Sequence, residues 1–140
     1  MVSFPQFFDK VCMIPYKLGG RDYKGIDCWG LVVLAYKELF NLDIPTYDGT
    51  MSSVSNKNTK TAEDIINHLE LSAPFTRVEE PQYGDFVLIN ILGNPTHIGL
   101  MIDSSHMLHI SDKSGIAYED IRSIKWQRRI QGFYRHNQNL

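Results

Sequence analysis

Two stretches near the N-terminus place apolar residues at helical spacing. Phe4, Phe7, Phe8 and Val11 share one stripe, and Ser3 followed by Phe4 and Pro5 supplies a helix start. Pro15 and Gly19-Gly20 end that helix. From Cys28 to Phe40, the positions Cys28, Leu31, Val32, Ala35 and Leu39 follow the i, i+3, i+4, i+7 pattern, while Trp29, Val33, Tyr36 and Phe40 make a second stripe. A helix that is apolar on nearly every side has to be surrounded by other elements, so it is expected at the centre of the fold. Asn41 marks its end, and Pro45 keeps it from continuing far.

Residues 48–60 are dense in Ser, Thr and Asn and read as an exposed loop or insertion. Thr61, with Asp64 three residues on, opens a short helix carrying Ile65, Ile66 and Leu69. After Pro81 the periodicity changes. Short β-type runs are expected at 86–91, 97–102, 107–110, 115–118, 121–126 and 129–135, separated by turn residues such as Gly93-Asn94-Pro95, Asp103-Ser104-Ser105 and Lys113-Ser114-Gly115. Helices first and an antiparallel meander second predict an α+β fold, with no internal repeat.

Length and charge narrow the classes. A chain of 140 residues has room for one domain and one core, and 43% apolar with 21% charged residues is ordinary for a globular protein. The longest strongly apolar run, 31–36, is far below the roughly 18 residues that span a bilayer. With 16 acids against 14 bases and a net charge of −2, nucleic acid is not an expected partner. The two cysteines, Cys12 and Cys28, exclude a Cys-dense disulfide scaffold and do not form a metal pair. The first twenty residues lack a basic n-region and an unbroken apolar stretch, so no signal peptide is expected and synthesis in a cytoplasm is.

Cys28 falls at the first turn of the predicted central helix, where unpaired N–H groups and the helix dipole favour a thiolate. The alternative is a buried cysteine serving as a small apolar side chain. A reactive thiol needs a base, and His97 lies on a predicted strand with Gly99 and Met101 on the same face. If Asp103-Ser104-Ser105 is a three-residue hairpin loop, His109 lies opposite Gly99, and His97 and His109 become diagonal neighbours. A two-residue loop would send His109 to the other face. Nucleophile, base and orienting partner is the logic of cysteine hydrolases. A zinc site from Cys28, His97 and His109 is the rival use, without the tight ligand spacing that usually supports one. Asp27 can bind a substrate amine or simply cap the helix, and Tyr16 can offer a hydroxyl near the cysteine or pack on the core. His68 and His136 have no partner in the pattern.

The segments Ile14-Pro15-Tyr16-Lys17-Leu18-Gly19-Gly20 and Gly25-Ile26-Asp27-Cys28-Trp29-Gly30-Leu31-Val32, then Tyr83-Gly84-Asp85-Phe86-Val87, Pro95-Thr96-His97-Ile98-Gly99-Leu100 and Met107-Leu108-His109, together resemble the NlpC-like cell-wall endopeptidases. Order, spacing and neighbours agree over most of the chain. The resemblance implies a papain-like α+β fold and thiol hydrolysis of peptidoglycan stem peptides, typically between D-glutamate and a diamino acid. It makes Cys28 the nucleophile, His97 the base, His109 the orienting residue, Tyr16 the tyrosine near the nucleophile and Asp27 the acid that receives a free amine. It requires no metal or organic cofactor. Trp29 departs from the Ser that usually follows the nucleophile in the bacterial enzymes. The Asp27-Cys28-Trp29-Gly30 version resembles instead the tail-assembly members of tailed bacteriophages, which implies a virion location and tail-tip protein partners. The rival readings are a structural tail-tip component and a bacterial cytoplasmic peptide or amide hydrolase.

Overall fold

A computed structural model describes residues 1–46, 74–91 and 94–140. The polar stretch 48–60 and the helix expected from Thr61 lie outside the described residues.

Helix α1 (Phe4–Val11) starts where the pattern places it, because Ser3 and Gln6 form a reciprocal capping box: the Gln6 N–H donates to Ser3 Oγ at 3.3 Å and the Ser3 N–H to Gln6 Oε1 at 2.9 Å. Its Phe7 and Val11 are fully buried. A two-stranded ribbon follows, β1 (Arg21–Asp22) and β2 (Gly25–Ile26), too short to leave a periodic signal. Helix α2 (Cys28–Phe40) begins at the Asp27 N-cap and ends at Asn41, whose φ of 53° is the left-handed C-cap that Asn tolerates. Nine of its thirteen residues are buried, so it is the central helix that its double apolar stripe requires.

The remaining strands form one antiparallel sheet in the order β3-β8-β4-β5-β6-β7, with β3 (Phe75–Val78), β4 (Phe86–Ile91), β5 (Asn94–Met101), β6 (His106–Ser111), β7 (Gly115–Asp120) and β8 (Ile130–His136). The last strand returns to lie between the first two. Alternation of side chains divides the sheet into two faces. Phe86, Leu88, Ile98, Leu100, Leu108 and Ile110 pack with α2, while Val87, Ile89, Met101 and Met107 form a second cluster on the other side.

The strand expected at 121–126 is absent. Asp120 ties down the turn by accepting from the Arg122 backbone N–H at 2.8 Å, and the Ser123 carbonyl accepts from Trp126 and Gln127, closing the short helix α3 (Ile124–Gln127). The apolar residues of this run therefore do not alternate: Ile121 and Trp126 cover the second face, and Ile124 points to solvent. Beside the sheet, Asp85 is almost fully buried and forms a two-pronged ion pair with Arg135, both contacts at 2.8 Å. That pair explains the aspartate of Tyr83-Gly84-Asp85, since it joins the start of β4 to the end of β8. Among the described residues, no helix is long and apolar enough to cross a membrane.

Candidate active site

The β5–β6 hairpin determines how the two strand histidines meet. Asp103 Oδ1 accepts from the N–H groups of Ser105 and His106, each at 2.8 Å, which shapes the three-residue loop. Leu100 then lies opposite Leu108 and Met101 opposite Met107. In that register His97 and His109 are diagonal neighbours, with Nε2 of His97 2.9 Å from Nδ1 of His109 and the rings nearly perpendicular. Gly99 leaves no open gap between them: a Cβ there would sit 2.7 Å from the sulfur of Met107 and 3.2 Å from Val87 Cγ1. Its role is to let the Met107 side chain lie flat on β5.

The relay does not stop at His109. Its Nε2 is 2.5 Å from Glu119 Oε2, and Trp126 meets the His109 ring edge-on at 5.2 Å. Sequence reasoning missed both residues. Glu119 lies one residue past the expected 115–118 run; β7 in fact reaches Asp120, and with His109 opposite Ala117 this makes Glu119 a diagonal neighbour by the same rule that joins the histidines. Trp126 ends the 121–126 run, whose β-type composition predicts a strand where the chain instead turns into α3.

Burial drives the charge states. It pushes the His97 ring down to about 3, helped by the neighbouring His109 and opposed by Glu119. Burial also lowers His109, against the pull of its hydrogen bond to Glu119. For Glu119, burial acts upward, but the Trp126 indole, the bond with His109 and the charge of Lys125 outweigh it, so the carboxyl lies below its usual range. The Trp126 N–H has no hydrogen-bond partner within range among the described residues, so it acts on this carboxylate through its dipole. The group is therefore an ionised glutamate beside two neutral imidazoles.

Tyr16, His97, His109, Glu119, Trp126 and Arg129 are among the residues lining a cavity of about 470 Å³. Tyr16 is brought there by the chain before β1. It bridges to Ile26, with the Lys17 N–H donating to the Ile26 carbonyl at 2.9 Å and the Ile26 N–H to the Pro15 carbonyl at 3.1 Å. The tyrosine segment is thus fastened two residues before Cys28.

Cys28 is the first residue of α2 and has no exposed surface. It shares a core with Ile98 and Leu100 of β5 and Leu108 of β6, and it is not a lining residue of the cavity. Asp27 is also fully buried, and it takes the capping role: Oδ1 accepts from the Gly30 N–H at 2.9 Å and from Arg21 at 2.6 Å, while Oδ2 accepts from the Gly19 N–H at 2.9 Å. Gly30 is required because a Cβ would fall 2.1 Å from the Gly20 carbonyl oxygen, where the preceding loop crosses the first turn of α2. Trp29 is not among the residues that line the cavity. Its indole N–H donates to the Pro45 carbonyl at 2.8 Å, and its ring packs edge-on against Phe75 and Phe86.

His106 pairs with Asp103 and stacks on Tyr118, and His136 packs against Tyr36 and Phe75, so neither joins the relay. Among the described residues, no group of three or more His, Cys, Asp and Glu side chains is arranged to hold a metal ion.

Comparison with known proteins places this arrangement. The NlpC/P60 family model matches residues 13–135. The chain is 29% identical over 120 residues to the Escherichia coli murein DD-endopeptidase MepS/murein LD-carboxypeptidase, covering 83% of this chain and 52% of that protein. It is 31% identical over 123 residues to the Escherichia coli murein DD-endopeptidase MepH, covering 84% of this chain and 39% of that protein. The chain therefore spans about half or less of the length of these relatives. Among solved structures, the NlpC/P60 domain of peptidoglycan hydrolase SagA matches with a TM-score of 0.58 at 15% identity, covering 92% of each chain. A Bacillus cereus NlpC/P60 family protein matches with a TM-score of 0.64 at 18% identity, covering 94% of this chain and 38% of that one. With the family match running from before Tyr16 to Arg135, and with the papain-like α+β fold shared by these neighbours, the chain belongs to the NlpC/P60 family.

Proposed function

We propose that the protein is a cysteine endopeptidase that hydrolyses an amide bond of peptidoglycan stem peptides, with Cys28 as nucleophile, His97 as base and His109 as the residue that orients His97. The observation that carries this reading is the buried, hydrogen-bonded His97–His109 pair, on strands that pack against the helix beginning at Cys28. The murein endopeptidase relatives support the substrate class.

In this mechanism the neutral His97 ring takes the thiol proton as sulfur attacks the amide carbonyl. The tetrahedral oxyanion is stabilised by the Cys28 backbone N–H, one of the unpaired donors of the first helical turn, and by the Tyr16 hydroxyl. Imidazolium His97 then protonates the leaving amine, and water hydrolyses the thioester. Asp27 enters as the cap that anchors the turn bearing Cys28. Capture of a substrate amine there requires Arg21 to give way.

Stem peptides are rich in carboxylates, and Lys113, Lys125 and Arg129 on the cavity wall suit them, against the two acids Asp112 and Glu119. The bond proposed is the one between D-glutamate and a diamino acid. Delivery on a phage tail rests on the Asp27-Cys28-Trp29-Gly30 resemblance, with tail-tip proteins as the partners and the virion as the location.

Digestion of purified muropeptides by wild type and Cys28→Ala, read by mass spectrometry, tests the reading. A Cys28-dependent product cut after D-glutamate is expected, and a product cut at a DD cross-link reassigns the bond. No Cys28-dependent product from any stem peptide overturns the enzyme and leaves the structural tail component. Proteomics of purified tailed particles tests the location.

A further inference from the structure

We infer that Glu119 is a positioning residue: acting through His109, it fixes the proton arrangement of the pair so that Nδ1 of His97 is the bare nitrogen. The inference rests on the proposed cysteine-peptidase reading for its meaning in catalysis, and on geometry alone for the proton arrangement itself.

What each atom can donate or accept fixes the arrangement. An ionised carboxylate only accepts hydrogen bonds, so the His109 nitrogen facing Glu119 Oε2, Nε2, must carry the proton. A neutral imidazole carries one ring proton, so Nδ1 of His109 is a bare acceptor. That acceptor faces Nε2 of His97 at 2.9 Å, which makes Nε2 the protonated nitrogen of His97. Nδ1 of His97 is left with its lone pair, ready to take a proton. With the opposite arrangement, Nδ1 of His97 would already be protonated and could not accept one from a thiol. Two histidines alone can hold either arrangement, because each ring can donate or accept. The carboxylate cannot be reversed, and it therefore breaks the tie.

The charged and titratable groups around the relay are consistent with an ionised Glu119. Lys125 of α3 stands 3.8 Å from its Oε1 and 4.8 Å over the Trp126 ring, and Arg129 is the other cation on that side. Asp112 and Lys113, from the turn between β6 and β7, also line the cavity and carry opposite charges.

The test has two arms. Long-range ¹H–¹⁵N spectra of labelled wild type near pH 7 are expected to show both His97 and His109 as Nε2–H tautomers, and Glu119→Gln, which can donate as well as accept, is expected to give mixed tautomers. An Nδ1–H tautomer at either histidine of wild type, or unchanged tautomers in Glu119→Gln, overturns the inference whatever the protein cleaves. The second arm measures kcat on the stem peptide. Glu119→Gln is expected to lose about 10- to 100-fold with KM little changed, while Glu119→Asp, which keeps an acceptor-only group, retains more activity. A purely structural role predicts the reverse, because Gln is the closer match in shape, and that order overturns the inference. Thermal unfolding of each variant separates loss of fold from loss of proton order. Failure of Cys28-dependent cleavage in wild type, with the tautomers as expected, removes the peptidase reading and leaves the proton assignment standing.

Discussion

Replacing Trp29 by the serine that usually follows the nucleophile in the bacterial enzymes is expected to damage the fold without changing which bond is cut. Trp29 is 1% exposed, and its ring centroid lies 5.4 Å from that of Phe86 and 6.1 Å from that of Phe75, edge-on to both. Removing a buried ring of this size costs about 3–5 kcal/mol in lost transfer energy and residual cavity. The Pro45 carbonyl, which accepts from the indole at 2.8 Å, also loses its donor, a further cost of about 1–3 kcal/mol where water does not replace it. A domain near the lower end of ordinary stability, about 5 kcal/mol, would survive Trp29→Ser barely or not at all, and a more stable one would lose a large part of its margin. Trp29→Phe keeps most of the ring and loses mainly the hydrogen bond, so about 1–3 kcal/mol is expected for it. Urea unfolding with an unchanged m-value measures these differences. Muropeptide digestion by Trp29→Phe at a temperature where it is fully folded measures the second claim, since the indole does not line the cavity. A fully stable Trp29→Ser, or a Trp29→Phe that cuts a different bond, refutes the reasoning.

Three further outcomes follow from the same geometry. Arg135→Met leaves the buried Asp85 carboxylate without its cation and is expected to destabilise the protein by about 3–5 kcal/mol, read as a lower urea midpoint. His97 is held at about 3 in the folded state, against an ordinary value near 6.5, so the unfolded chain binds the extra proton first. Its contribution is fully present above pH 6.5 and is lost as pH falls toward 3, by about 2 kcal/mol at pH 5, and His97→Gln should flatten this slope in urea midpoints taken from pH 7.5 to pH 5. Arg129→Ala should raise KM about 2- to 5-fold for stem peptides with free carboxylates and leave amidated ones unaffected, as steady-state kinetics on the two would show.

What could be read from the sequence alone follows physical lines. Helix α2 was legible because its apolar stripes run the full length and both ends carry capping residues, Asp27 and Asn41. The His97–His109 pairing was legible because an acceptor side chain, Asp103, sets the hairpin loop, and the loop sets the register. The 121–126 segment misled because its β-type composition says nothing about the turn that Asp120 and Arg122 impose locally. Arg21 was invisible as a partner for Asp27, since their pairing depends on the short ribbon β1–β2 folding back over the first turn of α2. Glu119 is hidden for a different reason: the β-type composition fades after Tyr118, at the acids Glu119 and Asp120, while backbone pairing with β6 carries the strand on to Asp120.

Two acids, fully buried Asp27 and partly exposed Glu119, lie on opposite sides of the proposed proton transfer, and their partners differ accordingly. Moving a proton from Cys28 to His97 creates a negative sulfur and a positive ring. Negative charge beside the sulfur opposes that step, and negative charge beside the ring favours it. Asp27 immediately precedes Cys28, and left bare it would act against the thiolate. Arg21, 2.6 Å away, neutralises it, and the field that remains at Cys28 is that of the N-terminus of α2, which favours an anion. Glu119 stands at the other end, beyond His109, where its charge supports an imidazolium at His97, and the 2.5 Å and 2.9 Å contacts connect the three groups. Lys125 is farther from Glu119, at 3.8 Å and largely exposed, so solvent screens it more than the buried hydrogen bonds. In the proposed reaction the fold thus cancels the acid that would oppose charge separation and keeps the one that promotes it, which is the polarity a proton transfer from thiol to imidazole needs where burial holds His97 neutral.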